Sequence, residues 1–362
     1  MRGLTFATVA ALALLALAGC MDFGPTGTDN PFQDMECSLP QEDLFSGGVA
    51  PDGIPSLQNP EFVAPNVPAA AYLQDDDRVI GFLVEGEAYA VPHNIGWWHE
   101  IVNLDFSGGL ELTVTYCPLT GSSLTFTRDA ALGATFGVSG LLFRNNLILF
   151  DRSNPQSLWP QMKREARCGA GDGTPLQMYP SIETTWEGWK ELHPETRVVG
   201  SEIGMGRDYT RYPYGSYEET ADLFFPQSNV DDSRFLKERT LGIPEDDGEG
   251  GVVFPFYNLK AGDPGPLAVA TAQARGGDAV VFWDETVEGA VAFRPEVDGQ
   301  ALTFTVGDEG FVDDQTGSLW RMDGLAVDGT LAGVRLEPIP EAYVAFWFAW
   351  MAFHPEAELW EP

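Results

Sequence analysis

The sequence has few basic residues, and this shortage limits the partners that the protein can bind. Lysine and arginine number 20 against 54 acidic residues, which gives a formal net charge of −34 at pH 7. A protein that binds nucleic acid needs a basic surface to pair with phosphates. We therefore expect no nucleic-acid partner, and the scattered acidic residues are typical of a well-hydrated surface.

Common catalytic motifs and long apolar segments are also missing. The sequence contains no P-loop, no G-x-G-x-x-G, no H-E-x-x-H and no G-x-S-x-G, the patterns of nucleotide, zinc-protease and serine-hydrolase sites. Beyond the N-terminus no run of 18 apolar residues occurs, so no membrane-spanning helix is expected. The 44% hydrophobic content is sufficient for the cores of two domains.

The N-terminus has the features of an export signal. A positive charge at Arg2 precedes an apolar run over residues 4–17, and Leu-Ala-Gly follows directly before Cys20. This pattern resembles a bacterial lipobox, so residues 1–19 are predicted to be a signal peptide and Cys20 to be lipidated. The lipid would anchor the protein to a membrane of the cell envelope. The usual inner-membrane retention signal has aspartate directly after the cysteine, whereas this chain has Met21 there and Asp22 one position later, so the outer membrane is favoured in cells with two membranes. An ordinary secretory signal is the alternative.

Residues 20–51 are rich in glycine, proline, aspartate and serine and show no sustained period. This composition is typical of an irregular tether. Ordered structure is predicted to begin near residue 52.

A repeated pattern divides the remaining chain into two units. Eight residues recur at a constant offset of 161 positions, which predicts a tandem duplication. The units are predicted at residues 52–200 and 235–362, with a connector over 201–234. The repeated pairs are Ser157/Ser318, Leu158/Leu319, Trp159/Trp320, Trp186/Trp347, Trp189/Trp350, His193/His354, Pro194/Pro355 and Glu195/Glu356.

Each unit is predicted to have an α+β, β-rich fold. Apolar and β-branched runs separated by glycine-rich turns predict mainly antiparallel strands, for example over 79–84, 110–116, 123–127 and 146–150. In the first unit Trp186, Trp189 and His193 share one helical face, so a single tryptophan-rich helix is predicted from about residue 184 to 193.

The duplication separates scaffold residues from candidate site residues. His193 and His354 occur in both units, so we interpret them as core histidines with satisfied ring nitrogens or as helix C-terminal caps. His99 and Cys117 have no counterpart in the second unit. The repeated fold therefore does not require them.

Several segments resemble the family known as domain of unknown function 3179. These are "DGIPSLQNPEF", "WWHEIVN", "VTYCPLTGS", "FGVSGLLFRNNLILFDR", "SLWPQM", "TTWEGWKELHPETRV" and "RDYTRYPYGSY". The resemblance covers about residues 50–362 and implies a secreted or lipid-anchored prokaryotic protein. Many members carry Cys-Pro-Leu-Cys where this chain has Thr120 as the last residue, which argues against a two-thiol site here.

Three cysteines remain after lipidation of Cys20. Cysteines outside the cytoplasm usually pair, and Cys37 and Cys168 both lie in loop-like segments. We predict a disulfide between them, which leaves Cys117 as a thiol.

Three interpretations of Cys117 stay open. With His99 and His93 it would bind copper or zinc. Alternatively, His99 would activate Cys117 as the nucleophile of a thiol-dependent enzyme, with Glu100 or Asn103 orienting the His99 ring. In the third interpretation Cys117 is a small core residue in a purely structural surface protein. The leading hypothesis is a binding or metal-handling protein.

The connector is a second candidate site. Arg207, Tyr209, Arg211 and Tyr214 lie close together in a glycine- and proline-rich segment. They would bind an anionic or sugar-like ligand in a cleft between the units. The alternative is a linker whose tyrosines cover a sheet and whose arginines pair with carboxylates.

The lipid anchor can be tested by detergent partitioning. We expect the wild-type protein to enter the detergent phase and Cys20→Ala to stay in the aqueous phase, because several acyl chains add about 0.8 kcal/mol for each buried CH₂ group. Equal partitioning of the two proteins would rule out lipidation at Cys20.

Overall fold

The computed structural model describes residues 31–32, 35–246, 248–262 and 265–362. The predicted signal peptide and Cys20 lie outside these residues. The described chain is β-rich and has few helices, as the sequence predicts. No helix among these residues is long and apolar enough to cross a membrane.

The first half contains fourteen strands and two α-helices within the described residues. The helices are α1 (His93–His99) and α2 (Trp186–Leu192). The strands are β1 (Leu44–Ser46), β2 (Leu57–Gln58), β3 (Phe62–Val63), β4 (Arg78–Val84), β5 (Glu87–Pro92), β6 (Ile101–Asp105), β7 (Glu111–Cys117), β8 (Ser122–Thr127), β9 (Phe136–Phe143), β10 (Asn146–Asp151), β11 (Ser157–Pro160), β12 (Cys168–Gly169), β13 (Ile182–Thr185) and β14 (Arg197–Val199).

The second half has a similar set of elements within the described residues. Its helices are α3 (Phe256–Gly262) and α4 (Trp347–Phe353). Its strands are β15 (Arg239–Pro244), β16 (Gly251–Pro255), β17 (Leu267–Ala274), β18 (Gly277–Asp284), β19 (Gly289–Arg294), β20 (Glu296–Val297), β21 (Gln300–Ala301), β22 (Phe304–Val306), β23 (Phe311–Asp313), β24 (Leu319–Trp320), β25 (Ala326–Asp328), β26 (Glu337–Pro338), β27 (Tyr343–Phe346) and β28 (Glu358–Leu359).

The strands form three main sheets in each half. The first half contains the sheets β13-β4-β5-β14-β3, β2-β6-β7-β8 and β1-β9-β10-β11-β12. The second contains β27-β15-β16-β28, β17-β18-β19-β26 and β22-β23-β24-β25, together with the β20-β21 hairpin. Most neighbours are antiparallel, and β14 on β5 and β28 on β16 are parallel pairs at matching places.

The prediction of one helix in each unit was wrong, because each half has two α-helices. The additional helices α1 and α3 directly follow β5 and β16. Each has seven residues, as α2 does, but neither contains the Trp-x-x-Trp spacing that identified α2 in the sequence. The predicted helix of the first unit is present as α2, where the Thr185 hydroxyl accepts a hydrogen bond from the backbone N–H of Gly188 at 3.2 Å as an N-cap.

The described part of the predicted tether is packed against the first half. Strand β1 pairs with β9, Leu39 is buried, and a disulfide joins Cys37 to Cys168. The disulfide closes a loop of 131 residues, and the chain-entropy model assigns such a loop about 4–5 kcal/mol of stabilisation.

The two halves contact each other through reciprocal hydrogen bonds. The Thr185 N–H in β13 donates to the carbonyl of Val287, which precedes β19, at 3.1 Å. The Phe346 N–H in β27 donates to the carbonyl of Thr120, which precedes β8, at 2.8 Å. The end of one strand in each half therefore contacts a hairpin turn of the other half.

A glycine in each half lets a tryptophan ring contact the sheet backbone. A Cβ at Gly81 in β4 would lie 2.4 Å from the ring of Trp189, and one at Gly242 in β15 would lie 2.1 Å from Trp350. Both separations are shorter than van der Waals contact, so only glycine fits without a displacement of the ring.

Substitution of these glycines should weaken both halves. We expect Gly81→Ala and Gly242→Ala each to lower the free energy of unfolding by about 1–3 kcal/mol, because the added methyl group overpacks the core. Urea denaturation measures the effect. The control is Gly265→Ala, since no atom lies within 4 Å of a Cβ at that position, and an equal loss in the control would contradict the overpacking argument.

Candidate functional site

Helix α1 carries both histidines that the sequence analysis selected in the first half. His93 is its first residue and His99 its last. Gly96 lies between them, and a Cβ there would come 2.8 Å from Tyr116 of β7. The close packing of the helix on β7 fixes the position of both of its ends.

Both ring nitrogens of His99 have hydrogen-bond partners. The Nδ1 atom lies 2.8 Å from the carbonyl oxygen of Pro55, and the Nε2 atom lies 2.8 Å from the Tyr209 hydroxyl. The side chain is 0% exposed, and burial lowers the pKa of His99 to about 4. His99 is therefore neutral at physiological pH and holds the connector against α1.

His93 belongs to a buried ionic cluster. Its Nε2 atom lies 3.2 Å from the Ser123 hydroxyl and 3.5 Å from a Glu183 carboxylate oxygen. Burial lowers the pKa of His93, although the carboxylate of Glu183 opposes this shift. Glu183 also pairs with Arg78 at 2.7 Å and with Arg239 of the second half at 3.3 Å.

Cys117 is a buried, protonated thiol. Its side chain is 1% exposed, its Sγ accepts a hydrogen bond from the Leu147 N–H at 3.3 Å, and it lies 3.7 Å from the Asn145 carbonyl oxygen. Burial, together with the nearby Glu100 carboxylate, raises the pKa of the Cys117 thiol to about 11. The geometry thus provides neither a thiolate nor a contact with His99.

The structure does not bring His93, His99 and Cys117 together as metal ligands. Their polar atoms have the separate partners given above. Among the residues that the structure describes, no group of three or more histidine, cysteine, aspartate or glutamate side chains is arranged to hold a metal ion. The sequence suggested a shared site because it does not show that these side chains belong to separate hydrogen-bond networks.

The four connector residues do not form one site either. Arg207 stacks over the Trp98 ring at 5.0 Å, and Tyr209 bonds to His99 as described. Arg211 and Tyr214 line a cavity. The prediction of a single ligand site in a cleft between the units is therefore corrected, because this cavity lies between the connector and the first half.

The cavity has a volume of about 640 Å³ and mostly apolar walls. Strands β9 and β10 form one side, the segment before β2 forms another, and the connector covers them. Its lining residues are Gly47, Val49, Ile54, Glu100, Leu119, Val138, Gly140, Leu141, Leu142, Leu147, Arg211, Tyr212, Pro213, Tyr214, Gly215, Phe224 and Phe225.

Glu100 supplies the carboxyl group of this cavity. It directly follows α1 as its C-cap with φ +55°, and a positive φ is unusual for a residue other than glycine. The residue is 8% exposed, and no described residue forms a hydrogen bond or ion pair with its carboxyl group. Burial alone raises the pKa of Glu100 to about 8.

Sequence reasoning did not select Glu100 as a site residue. It entered only as a partner that would orient the His99 ring. A signal was present, because Glu100 is a lone charge between the apolar stretch of α1 and the apolar strand β6. A charge at such a position is rarely buried without a partner.

Comparisons with known proteins place the chain in one family. The family described as "Protein of unknown function (DUF3179)" matches residues 51–357, which is most of the chain. Neither the curated proteins nor the solved structures contain a match. The protein belongs to the DUF3179 family of proteins of unknown function.

Proposed function

We propose that this protein binds a small, largely apolar molecule that carries an amine, in the cavity above Glu100. The observation that carries the proposal is the buried carboxyl group without a partner in a cavity of about 640 Å³. Ligand pockets usually have volumes of about 300–1,000 Å³ and combine apolar walls with a few polar groups. A largely buried carboxyl group without a protein partner is costly unless water or a ligand in the cavity forms a hydrogen bond or an ion pair with it.

The cavity walls support a cationic ligand group. Four aromatic side chains, Tyr212, Tyr214, Phe224 and Phe225, line the cavity together with Glu100. Aromatic faces attract organic cations, and a carboxylate adds a direct ion pair. Arg211 also lines the cavity but is exposed, so water hydrates its charge, whereas Glu100 is buried.

Three wider statements belong to the same proposal. The protein is a lipid-anchored protein of the cell envelope, which the lipobox-like sequence before Cys20 supports. The two halves are a tandem duplication, which the constant sequence offset and the matching sheet orders support. Copper or zinc binding by His93, His99 and Cys117 stays a prediction without support from the contacts described above.

A calorimetric titration with 1-naphthylmethylamine tests the role of Glu100. The carboxyl group is protonated at neutral pH, so binding of the cationic amine should release a proton from it. We expect the affinity to rise about tenfold for each pH unit between pH 6 and 8, as Glu100 approaches its pKa of about 8. Titrations in buffers of different ionisation enthalpy measure the released protons.

Glu100→Gln should weaken amine binding at least tenfold and abolish the proton release. The control is Glu87→Gln, because Glu87 is exposed and accepts a hydrogen bond from the Tyr89 hydroxyl at 2.7 Å outside the cavity. Unchanged affinity in Glu100→Gln, or proton release that persists there, would refute the proposal.

The alternative of a thiol-dependent enzyme predicts a reactive Cys117. With a pKa of about 11, only about one thiol in 10⁴ is ionised at pH 7. We expect iodoacetamide to modify Cys117 in the native protein at least 100-fold more slowly than free cysteine. After unfolding without reduction, the wild type should show one more modified thiol per chain than Cys117→Ala. Cys117→Ala provides the background, and rapid labelling of the native protein would support the enzyme.

A further inference from the structure

A second cavity lies at the junction of the two halves, away from Glu100. Its volume is about 300 Å³. Phe82 of β4 in the first half, and Leu241 of β15 and Val291 of β19 in the second half, contribute to its apolar lining. Trp189 of α2 also lines it, so the cavity is flanked by broad apolar surfaces from both halves.

One end of this cavity is polar. His193 caps the C-terminus of α2, and its Nε2 atom is buried without a hydrogen-bond partner among the described residues. The nearest charged atom is Oδ2 of Asp323 at 3.6 Å, which is beyond hydrogen-bond distance. Burial lowers the pKa of His193 to about 4, so the ring is neutral and its Nε2 atom is unsatisfied.

The corresponding histidine of the second half differs. His354 caps α4, its Nε2 atom lies 2.8 Å from the Tyr343 hydroxyl, and its Nδ1 atom lies 3.1 Å from the Gly248 carbonyl oxygen. The expectation of satisfied ring nitrogens therefore holds for His354 and was wrong for Nε2 of His193. Capping a helix of this kind does not require an unsatisfied ring nitrogen.

The charges around His193 leave one positive charge uncompensated. Arg321 pairs with Asp323 at 2.6 Å and Arg335 pairs with the same carboxylate at 3.0 Å. One carboxylate thus faces two guanidinium groups. Arg335 and Asp323 line the cavity whereas Arg321 does not. The Arg335 side chain is 39% exposed, and no described residue forms a hydrogen bond with its Nη2; unlike Arg211 of the first cavity, it lies at the same cavity end as an unsatisfied ring nitrogen, that of His193.

We infer that this second cavity binds a small aromatic or aliphatic carboxylate. The ligand carboxylate meets Arg335 and the Nε2–H of His193, and its apolar body lies between Phe82 and Leu241. A guanidinium group and a ring N–H are both donors that a carboxylate accepts. The volume is at the lower end of the range for ligand pockets, which suits one bicyclic acid.

Calorimetric titration of the whole protein with naphthalene-1-carboxylate tests this site. We expect one binding site per chain and at least tenfold weaker binding of naphthalene-1-carboxamide, which has the same shape without the charge. Arg335→Gln should weaken the carboxylate at least tenfold, whereas Arg321→Gln should change its affinity less than threefold. The two arginines share Asp323, so they are a matched pair that differs in access to the cavity.

Both arginine variants also remove an ion pair with Asp323, so a cavity-filling variant provides a test that leaves this carboxylate and its partners unchanged. Ala342 lines the cavity and is partly exposed, so Ala342→Phe should abolish binding while the thermal unfolding temperature stays near that of the wild type. Any one of four results would overturn the inference: no binding by the wild type, equal affinities for the acid and the amide, equal losses of affinity in the two arginine variants, or full binding by Ala342→Phe. Because Glu100 takes no part, the outcome is independent of the proposed function.

Discussion

The buried carboxylate of Glu183 is the interaction on which the arrangement of the two halves depends. Arg78 of the first half and Arg239 of the second both pair with it, and His93 and the Ser123 hydroxyl lie against its other oxygen. Although burial alone would raise it, these cations hold the pKa of Glu183 well below its usual range. Removal of one partner from such a cluster leaves a buried charge uncompensated and costs about 3–5 kcal/mol.

This cluster also positions the candidate site, because α1 begins inside it. The helix extends for seven residues from His93 to His99, and the Pro55 carbonyl and the Tyr209 hydroxyl fix its other end. The next residue, Glu100, must then take a backbone conformation with a positive φ, and its carboxyl group must be buried. Each of these is unfavourable. A backbone in such a sparsely populated region costs about 1–3 kcal/mol. Two local costs in one residue are typical of a functional position, where stability is given up for a specific geometry.

The sequence predicted the strands well where apolar runs alternate with glycine-rich turns, as in β4, β7, β8 and β10. It failed at α1 and α3, because these helices lack the Trp-x-x-Trp spacing that revealed the equally short α2. His99 was selected because the second half has no counterpart to it, but its partners Pro55 and Tyr209 are 44 and 110 residues away. Such contacts depend on how sheets and connector pack. Glu100 was overlooked for the same reason, since its burial is a tertiary property that no local pattern reveals.

The two cavities have opposite electrostatic character within one acidic chain. The net charge of −34 creates a field that attracts cations at long range and repels anions. Salt screens this field beyond about 10 Å, so the groups inside each cavity determine which ligand stays bound. In the first cavity the negative field of the whole protein and the Glu100 carboxyl group both attract a cationic amine. In the second, Arg335 acts against the field of the whole protein, so a carboxylate is held only by contacts at short range. Selectivity at that site therefore depends on close apolar packing around the ligand, which the lining residues of β4 and β19 provide.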